Sequence, residues 1–370
     1  LAGMAVDNQY LTPIYGNPDK SDEVTGFYNK FGGERSYYTH HSEGSLQGYD
    51  INFSANIKER AYLGLDIGFD NVDYRSWNEY TEINSYTNDN QEVVPGDYAL
   101  YNDTKISGYG INVKLGVIVR PIEESPFRVG LVMETPTWYR MKSSVLYDLT
   151  DLVVNERTNQ KESYLEYTIR TPWKVRASIG STVGNNFAWD VDYEFANYSK
   201  THMGYPKYDE WDDYHTSFAN TTDKAMNQHT RNTLKGVHTL RAGVEFRPVS
   251  PLALRLGYNY ITSSYKDNVG FDQYSINSAA MDYATNTSYM RWGATNILTL
   301  GIGYRFKKFY VDMTYKVRNQ SADFYAFDTS FAQGDTDFTQ NNPNLLNASI
   351  DPVDVNMTRQ SIVCTLGLKF

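Results

Sequence analysis

A chain of 370 residues, 41% hydrophobic and carrying a formal charge of −10, has room for two or three soluble domains or for one large β-barrel. No segment approaches the roughly 18 consecutive apolar residues of a membrane helix, so a helical membrane protein is excluded, and the acidic balance argues against a nucleic-acid partner. The 32 tyrosines suit a membrane interface, where the ring lies in lipid and the hydroxyl in water, although a soluble β-protein with a Tyr-rich core would use them as well. The single Cys364 rules out an intrachain disulfide.

Period-two runs recur along the chain. Tyr49, Ile51, Phe53, Ala55 and Ile57 alternate with polar residues, and after Lys58-Glu59-Arg60 come Leu63, Leu65, Ile67 and Phe69. Tyr109, Ile111, Val113, Leu115, Val117 and Val119 follow, then a Pro-bounded turn at 121–126, then Phe127, Val129, Leu131 and Met133. Trp173, Val175, Ala177 and Ile179 lead through Gly184-Asn185-Asn186 into Phe187, Trp189, Val191, Tyr193 and Phe195. Leu240 to Phe246, Leu252 to Tyr260, Leu298 to Phe306 and Phe309 to Val317 repeat the pattern, and Ile362, Cys364, Leu366, Leu368 and Phe370 end it. Five alternate apolar positions arise by chance in about one window in a hundred at this composition, so about eleven such runs mark strands.

Two regularities select the architecture. Short turns at 58–60, 121–126, 183–186, 248–251 and 307–308 alternate with long segments near 70–105, 140–162, 197–233, 262–293 and 318–355. A soluble sandwich has no reason to sort its loops by length, whereas an outer-membrane barrel places short turns on the periplasmic side and long loops outside. The charged residues Lys114, Arg128, Glu134, Arg176, Asp190, Asp192, Glu194, Arg241, Glu245, Arg255, Arg305, Asp312 and Lys369 also fall opposite the apolar rows. In a barrel they line the lumen. The expected fold is therefore all-β, a transmembrane up-and-down antiparallel β-barrel forming one domain over 1–370, integral to the outer membrane of a Gram-negative bacterium. Cys364 then faces lipid as an inert apolar residue. Leu366, Leu368 and Phe370 form a C-terminal signal of the kind that barrel assembly machinery recognises, and lipid with lipopolysaccharide surrounds the wall.

PFRVGLVMETPTWYRM (126–141) resembles the outer-membrane transport family of long-chain fatty-acid and aromatic-hydrocarbon channels (FadL/TodX), in particular its Bacteroidetes branch often labelled hemin receptor-like. YLGLDIGF (62–69), GYGINVKLGVIVRP (108–121), RTPWKVRASIG (170–180), WDVDYEFANYSK (189–200) and the 240–260 region are similar to that branch in the same order. The resemblance implies about fourteen strands, an N-terminal hatch in the lumen, and passive uptake of a hydrophobic small-molecule ligand. Only eleven runs, or twelve if Leu1–Ile14 adds one, are readable here, which leads to the expectation that the hatch and first strands precede this part of the chain. Within it, Pro136 interrupts a strand. Pro136, Trp138 and Tyr139 then mark either a break through which ligand leaves laterally or a strand end whose Trp138 and Tyr139 join the aromatic girdle. Thr171-Pro172-Trp173 invites the same two readings.

No GxSxG, HExxH, P-loop or CxxC motif occurs, so neither a catalytic residue nor a cofactor or metal is expected, and the chain reads as a non-enzyme. His40 and His41 are adjacent, so on a strand they point to opposite faces, with no third ligand at useful spacing. His202, His215 and His229 share a loop with Asp209, Glu210, Asp212 and Asp213, and Asp323, Asp328, Asp335 and Asp337 form an acidic segment without EF-hand order. Two further functions compete with uptake: a barrel subunit partnering other envelope proteins in a secretion or assembly complex, and a general diffusion porin.

Overall fold

A computed structural model describes residues 11–15, 24–29, 32–87, 90–154, 156–208, 216–267, 269, 276, 278, 280, 288–306, 308–325 and 352–368. Strands β1 (Leu11–Tyr15) and β2 (Val24–Asn29) pair with each other in a small sheet of their own, so among the described residues the N-terminal stretch adds no strand to the wall. The wall is a 16-stranded antiparallel sheet. Its strands are β3 (Gly32–Ile57), β4 (Ala61–Thr87), β5 (Val93–Pro95), β6 (Tyr98–Val119), β7 (Arg128–Glu134), β8 (Trp138–Asp151), β9 (Glu156–Arg170) and β10 (Lys174–Val183). They continue as β11 (Phe187–Asn197), β12 (His202–Tyr208), β13 (Thr216–Thr222), β14 (Gly236–Phe246), β15 (Leu252–Ile261), β16 (Tyr289–Phe306), β17 (Phe309–Tyr325) and β18 (Val353–Leu368). A single well-formed helix among the described residues, α1 (Lys224–Thr233), stands between β13 and β14.

Pairing reduces these pieces to fewer rows. β6 pairs with β7 along its lower part and with β8 along its upper part, so β7 and β8 are one interrupted row. β10 and β9 continue one another in the same way beside it. The rows are then β3, β4, β6, β7/β8, β9/β10, β11, β14, β15, β16, β17 and β18, eleven in all, each carrying one of the period-two runs. The three interruptions lie side by side, at 135–137, 171–173 and the 3-10 turn Tyr198–Lys200.

Backbone demands explain the tight end of the sheet. Between β3 and β4, Lys58 and Glu59 take φ of 51° and 56°, as a turn that follows the strand twist requires. The Asn56 side chain steadies it by accepting the Glu59 N–H at 2.9 Å. Between β10 and β11, Gly184 supplies a φ of 58° without a Cβ to oppose it.

The other end departs from expectation. Segments 70–105 and 140–162 are largely not loops: β4 runs unbroken through Thr87 and pairs with β6 from Glu82↔Tyr98 downward, and β8 pairs with β9 along its whole length. A membrane-spanning strand needs only about 9–11 residues, so β3, with 26, and β4, with 27, rise far above the bilayer. Outward residues there are no longer apolar: Asp73, Arg75 and Glu79 continue the row of Leu65, Ile67 and Phe69. The ladder survives because paired amides need each other in water as in lipid. The hydrophobic alternation stops because the outer face is now wet and the inner face of β4 carries buried polar residues such as Ser76, Asn78 and Asn84.

Exposure fixes which face meets lipid. On β15, Leu254 is 41% exposed, Leu256 47% and Tyr258 44%, whereas Arg255, Gly257 and Asn259 between them are less open. The pattern repeats on β10, β14, β16 and β17, the inverse of a water-soluble sheet. The ends of the sheet also curl together: the Tyr38 hydroxyl of β3 lies 2.6 Å from Ser288 Oγ, and its ring centroid 5.6 Å from that of Phe324 on β17. β3 and β18 share no ladder among the described residues. An up-and-down antiparallel wall that is greasy outside, ionic inside and curved end to end is that of a β-barrel integral to a membrane.

Candidate functional site

Charges on the inner face meet across neighbouring rows. Lys114 on β6 donates to Asp50 of β3 at 3.1 Å and Asp66 of β4 at 2.9 Å. Lys174 on β10 donates to Glu134 of β7 at 2.7 Å. Glu194 on β11 accepts from both sides: Arg176 Nε and Nη2 at 3.0 and 2.6 Å, Arg241 Nη1 and Nη2 at 3.1 and 3.2 Å. Arg255 on β15 donates Nε to Glu245 at 2.6 Å and Nη1 to Asp312 of β17 at 2.5 Å. To reach Asp312 it crosses β16 over Gly303, where a Cβ would strike the Asp312 carboxylate and lie 3.1 Å from Arg255 Nη1. Arg247 closes this group on Glu245 at 2.6 Å. Pairing of this kind lets charge sit in a partly desolvated bore.

Most of the charges that alternation assigned to the lumen stand in this belt: Lys114, Glu134, Arg176, Glu194, Arg241, Glu245, Arg255 and Asp312. Asp190 lies on the same face, its carboxylate over Gly243, and Asp192 stands across from Arg241, whose guanidinium turns to Glu194. Arg128 faces Gly180 in the ladder and is exposed. Arg305 lines, with Arg247, Arg255 and Asp312, a cavity of about 460 Å³ at the short-turn mouth. Asp50, Asp66 and Lys174, though legible in the alternation, become functional candidates only through register. Leu366 and Leu368 face outward at 79% and 55% exposure, and Cys364 is exposed opposite Met313; Phe370 and Lys369 fall outside the described residues.

Higher up, the bore changes character. Inward positions of β6, β8 and β9 carry Ile106, Met141, Val145, Leu149, Leu165, Tyr167 and Ile169, with Met141, Val145 and Leu149 buried. Tyr98, Leu100 and Tyr147 surround Leu149. The described ionic belt thus occupies the lower half of the bore, and an apolar face lies above it.

At the aligned interruptions the wall carries a notch of about 610 Å³, lined by Pro136, Trp138, Arg170, Pro172, Trp173, Phe195 and Lys200 among others. Prolines 136 and 172 remove ladder donors, and beside them threonine hydroxyl oxygens accept N–H groups across the interrupted rows. Thr135 Oγ1 accepts the Val113 N–H at 3.0 Å, and Thr171 Oγ1 accepts the Thr137 N–H at 2.8 Å. Trp138 is 47% and Trp173 54% exposed on the outer face. Tyr139 departs from the girdle reading: it points inward, lies over Gly110 and donates to Asp70 at 2.6 Å. Adjacent positions on the strand thus carry an outward indole and an inward phenol.

The histidines and acids weighed as ligands stay apart. His40 stacks near Tyr38 while His41 lies against Trp77 on the other face. His202 is on β12, His229 on α1, and His215 with Asp209, Glu210, Asp212 and Asp213 lies outside the described residues. Asp323 binds Arg291 at 2.6 and 2.9 Å, and Asp328, Asp335 and Asp337 are not described. No metal-ligating cluster occurs among the described residues. Above the rim, Asp223 caps α1 by accepting the Met226 N–H at 2.9 Å and takes hydroxyls from Tyr205 at 2.6 Å and Ser278 at 2.5 Å. Burial works against the ionised carboxyl, but these donors prevail and hold its pKa below the usual carboxylate value.

No family model and no curated protein matches the chain. Among solved structures it is similar to the Ralstonia pickettii toluene transporter TbuX, at 11% identity and a TM-score of 0.43, covering 90% of this chain and 69% of that one. It is also similar to the monoaromatic hydrocarbon channel CymD, at 11% identity and a TM-score of 0.40 over 77% of this chain and 83% of that one. The toluene transporter TodX of P. putida gives 8% identity and 0.40 over 90% and 88%.

Proposed function

We propose that this barrel is a channel of the Gram-negative outer membrane through which hydrophobic small molecules, of the fatty-acid or aromatic-hydrocarbon type, pass without an energy source. The apolar inner face formed by Ile106, Met141, Val145, Leu149, Leu165, Tyr167 and Ile169 supports this reading. A greasy compound entering the tall end exchanges water for the half-buried Ile106, Leu165, Tyr167 and Ile169, packed beside the buried Met141, Val145 and Leu149, at about 25 cal/mol per Å² of apolar surface covered. The paired charges below offer it no comparable gain, so its favourable route bends toward the notch and the hydrocarbon outside. Passage of this kind uses binding and shape and no catalytic group.

Uptake of radiolabelled toluene, the compound named by two of the structural neighbours, tests the reading. Cells producing the chain with Val145→Asp or Leu165→Asp, assembled as judged by heat-modifiable mobility, are expected to take it up several-fold more slowly than cells producing the original protein. Equal uptake contradicts the proposal. The ionic belt favours a second reading, a general diffusion porin. Large steady conductance in planar bilayers would select it, and small intermittent conductance would select the hydrophobic channel.

A further inference from the structure

Six cations of the inner face, and Arg75 and Lys142 of the outer face, hold carboxylates, whereas three at and beside the notch do not among the described residues. Inside, Lys114, Lys174, Arg176, Arg241, Arg247 and Arg255 each hold a carboxylate. Outside, at the notch, Arg140, Arg170 and Lys200 hold none among the described residues. Ladder register places these cations together: Trp138 pairs with Arg170, Arg170 pairs with His202, and Arg140 lies two residues beyond Trp138 on the same face. Burial, Arg170 and Arg231 together depress the pKa of His202, an independent sign of concentrated positive charge.

Beneath these cations the same notch is apolar. Trp138, Trp173, Val175 and Phe195 are outward and exposed, at the level where the outer face changes from Met133 and Ile179 to Lys142, Glu166 and Arg170. One molecule satisfies both parts: an anionic phosphate group at the cations, with a hydrocarbon chain continuing down over the indoles. We infer that the notch is a docking site for an anionic phospholipid-type molecule of the surrounding leaflet, its phosphate held by Arg170 and Lys200 and an acyl chain lying against Trp138, Trp173 and Phe195. Each cation near a membrane surface favours an anionic lipid by about fivefold, so removing two is expected to cost more than tenfold. The site shares the notch with the proposed exit route, but its test needs no compound in the bore.

The probe is phosphatidylglycerol against a phosphatidylcholine background. The full chain is reconstituted in mixed bilayers, extracted in mild detergent, and its retained lipid counted by native mass spectrometry. The original protein is expected to retain one phosphatidylglycerol. Arg170→Gln/Lys200→Gln is expected to lose it by tenfold or more while keeping heat-modifiable mobility. Arg170→Lys/Lys200→Arg restores retention, and Lys308→Gln, at the opposite end, leaves it unchanged. Equal retention by the double Gln variant overturns the inference. So does equal retention of phosphatidylcholine, which makes the notch a plain acyl groove, and so does displacement by millimolar inorganic phosphate, which makes it a free-anion site. If the double Gln variant fails to assemble, the phosphatidylcholine and inorganic-phosphate competitions on the original protein still decide the matter.

Discussion

The two halves of β4 make an instructive pair. From Ala61 to Phe69 its outward side chains are Leu63, Leu65, Ile67 and Phe69; from Asn71 to Glu79 they are Asn71, Asp73, Arg75, Trp77 and Glu79. The backbone is one unbroken ladder throughout, with β3 on one side and β6 on the other. Hydrogen bonding therefore sets where the strand runs, and the surrounding solvent sets what it wears. On the outer face the upper half even reverses the rule for charge. Arg75 donates to the nearly buried Asp103 at 3.1 and 2.7 Å, and His41, Trp77 and Tyr101 line up as aromatic neighbours across three strands.

Leu65→Arg and Asp73→Arg break or keep this contrast most forcefully. An arginine on the lipid face near mid-membrane costs about 2–4 kcal/mol, so Leu65→Arg is expected to lower the yield of heat-modifiable barrel sharply. At Asp73 the same side chain meets water and changes stability by roughly 0.5 kcal/mol or less. Equal yields would remove the boundary drawn between the two halves.

Next in size comes Glu194→Gln, which strips the shared carboxylate from Arg176 and Arg241. The loss expected is about 1–3 kcal/mol in denaturant unfolding, and raising salt is expected to narrow it. Arg255→Gln tests the same belt through function: with Asp312 freed and Glu245 left to Arg247 alone, the bore becomes more cation-selective, read as a shift in reversal potential under a salt gradient.

How much of this was legible in the sequence depends on where lipid lies. Eleven rows were readable because hydrocarbon forces Leu65 or Val244 to alternate with polar neighbours. The upper wall was not, because its outer face is hydrated and its inner face buries polar residues such as Asn78 and Asn84, so no apolar period survives and residues 70–105 resembled a loop. The belt was half legible: Glu194 and Arg241 share a face by parity, but only register shows that Arg241 turns from Asp192 to Glu194. The notch cations were the hardest to find. Arg170 and Lys200 stand next to strand breaks, and their lack of carboxylates is visible only in three dimensions.

The smallest effect belongs to the rim. Asp223→Ala removes the α1 cap at about 1 kcal/mol and is expected to speed amide hydrogen exchange within Lys224–Thr233 without changing barrel yield. Because the folded state holds the Asp223 carboxyl below its ordinary value, its contribution is complete above the usual carboxylate range. It is lost as pH falls through the lowered value, so exchange in α1 of the original protein should accelerate there and that of the variant should not.

The sorting of side chains between bilayer and bore is tested most directly on β15. Single cysteines placed from Leu252 to Tyr260 in a Cys364→Ser background, spin-labelled in vesicles, report access to oxygen dissolved in lipid and to a water-soluble nickel chelate. The result expected is a two-residue period, with positions 254, 256 and 258 open to oxygen and 255, 257 and 259 open to the chelate. A period of the opposite phase, or chelate access at every position, would contradict a barrel with lipid outside and charge within.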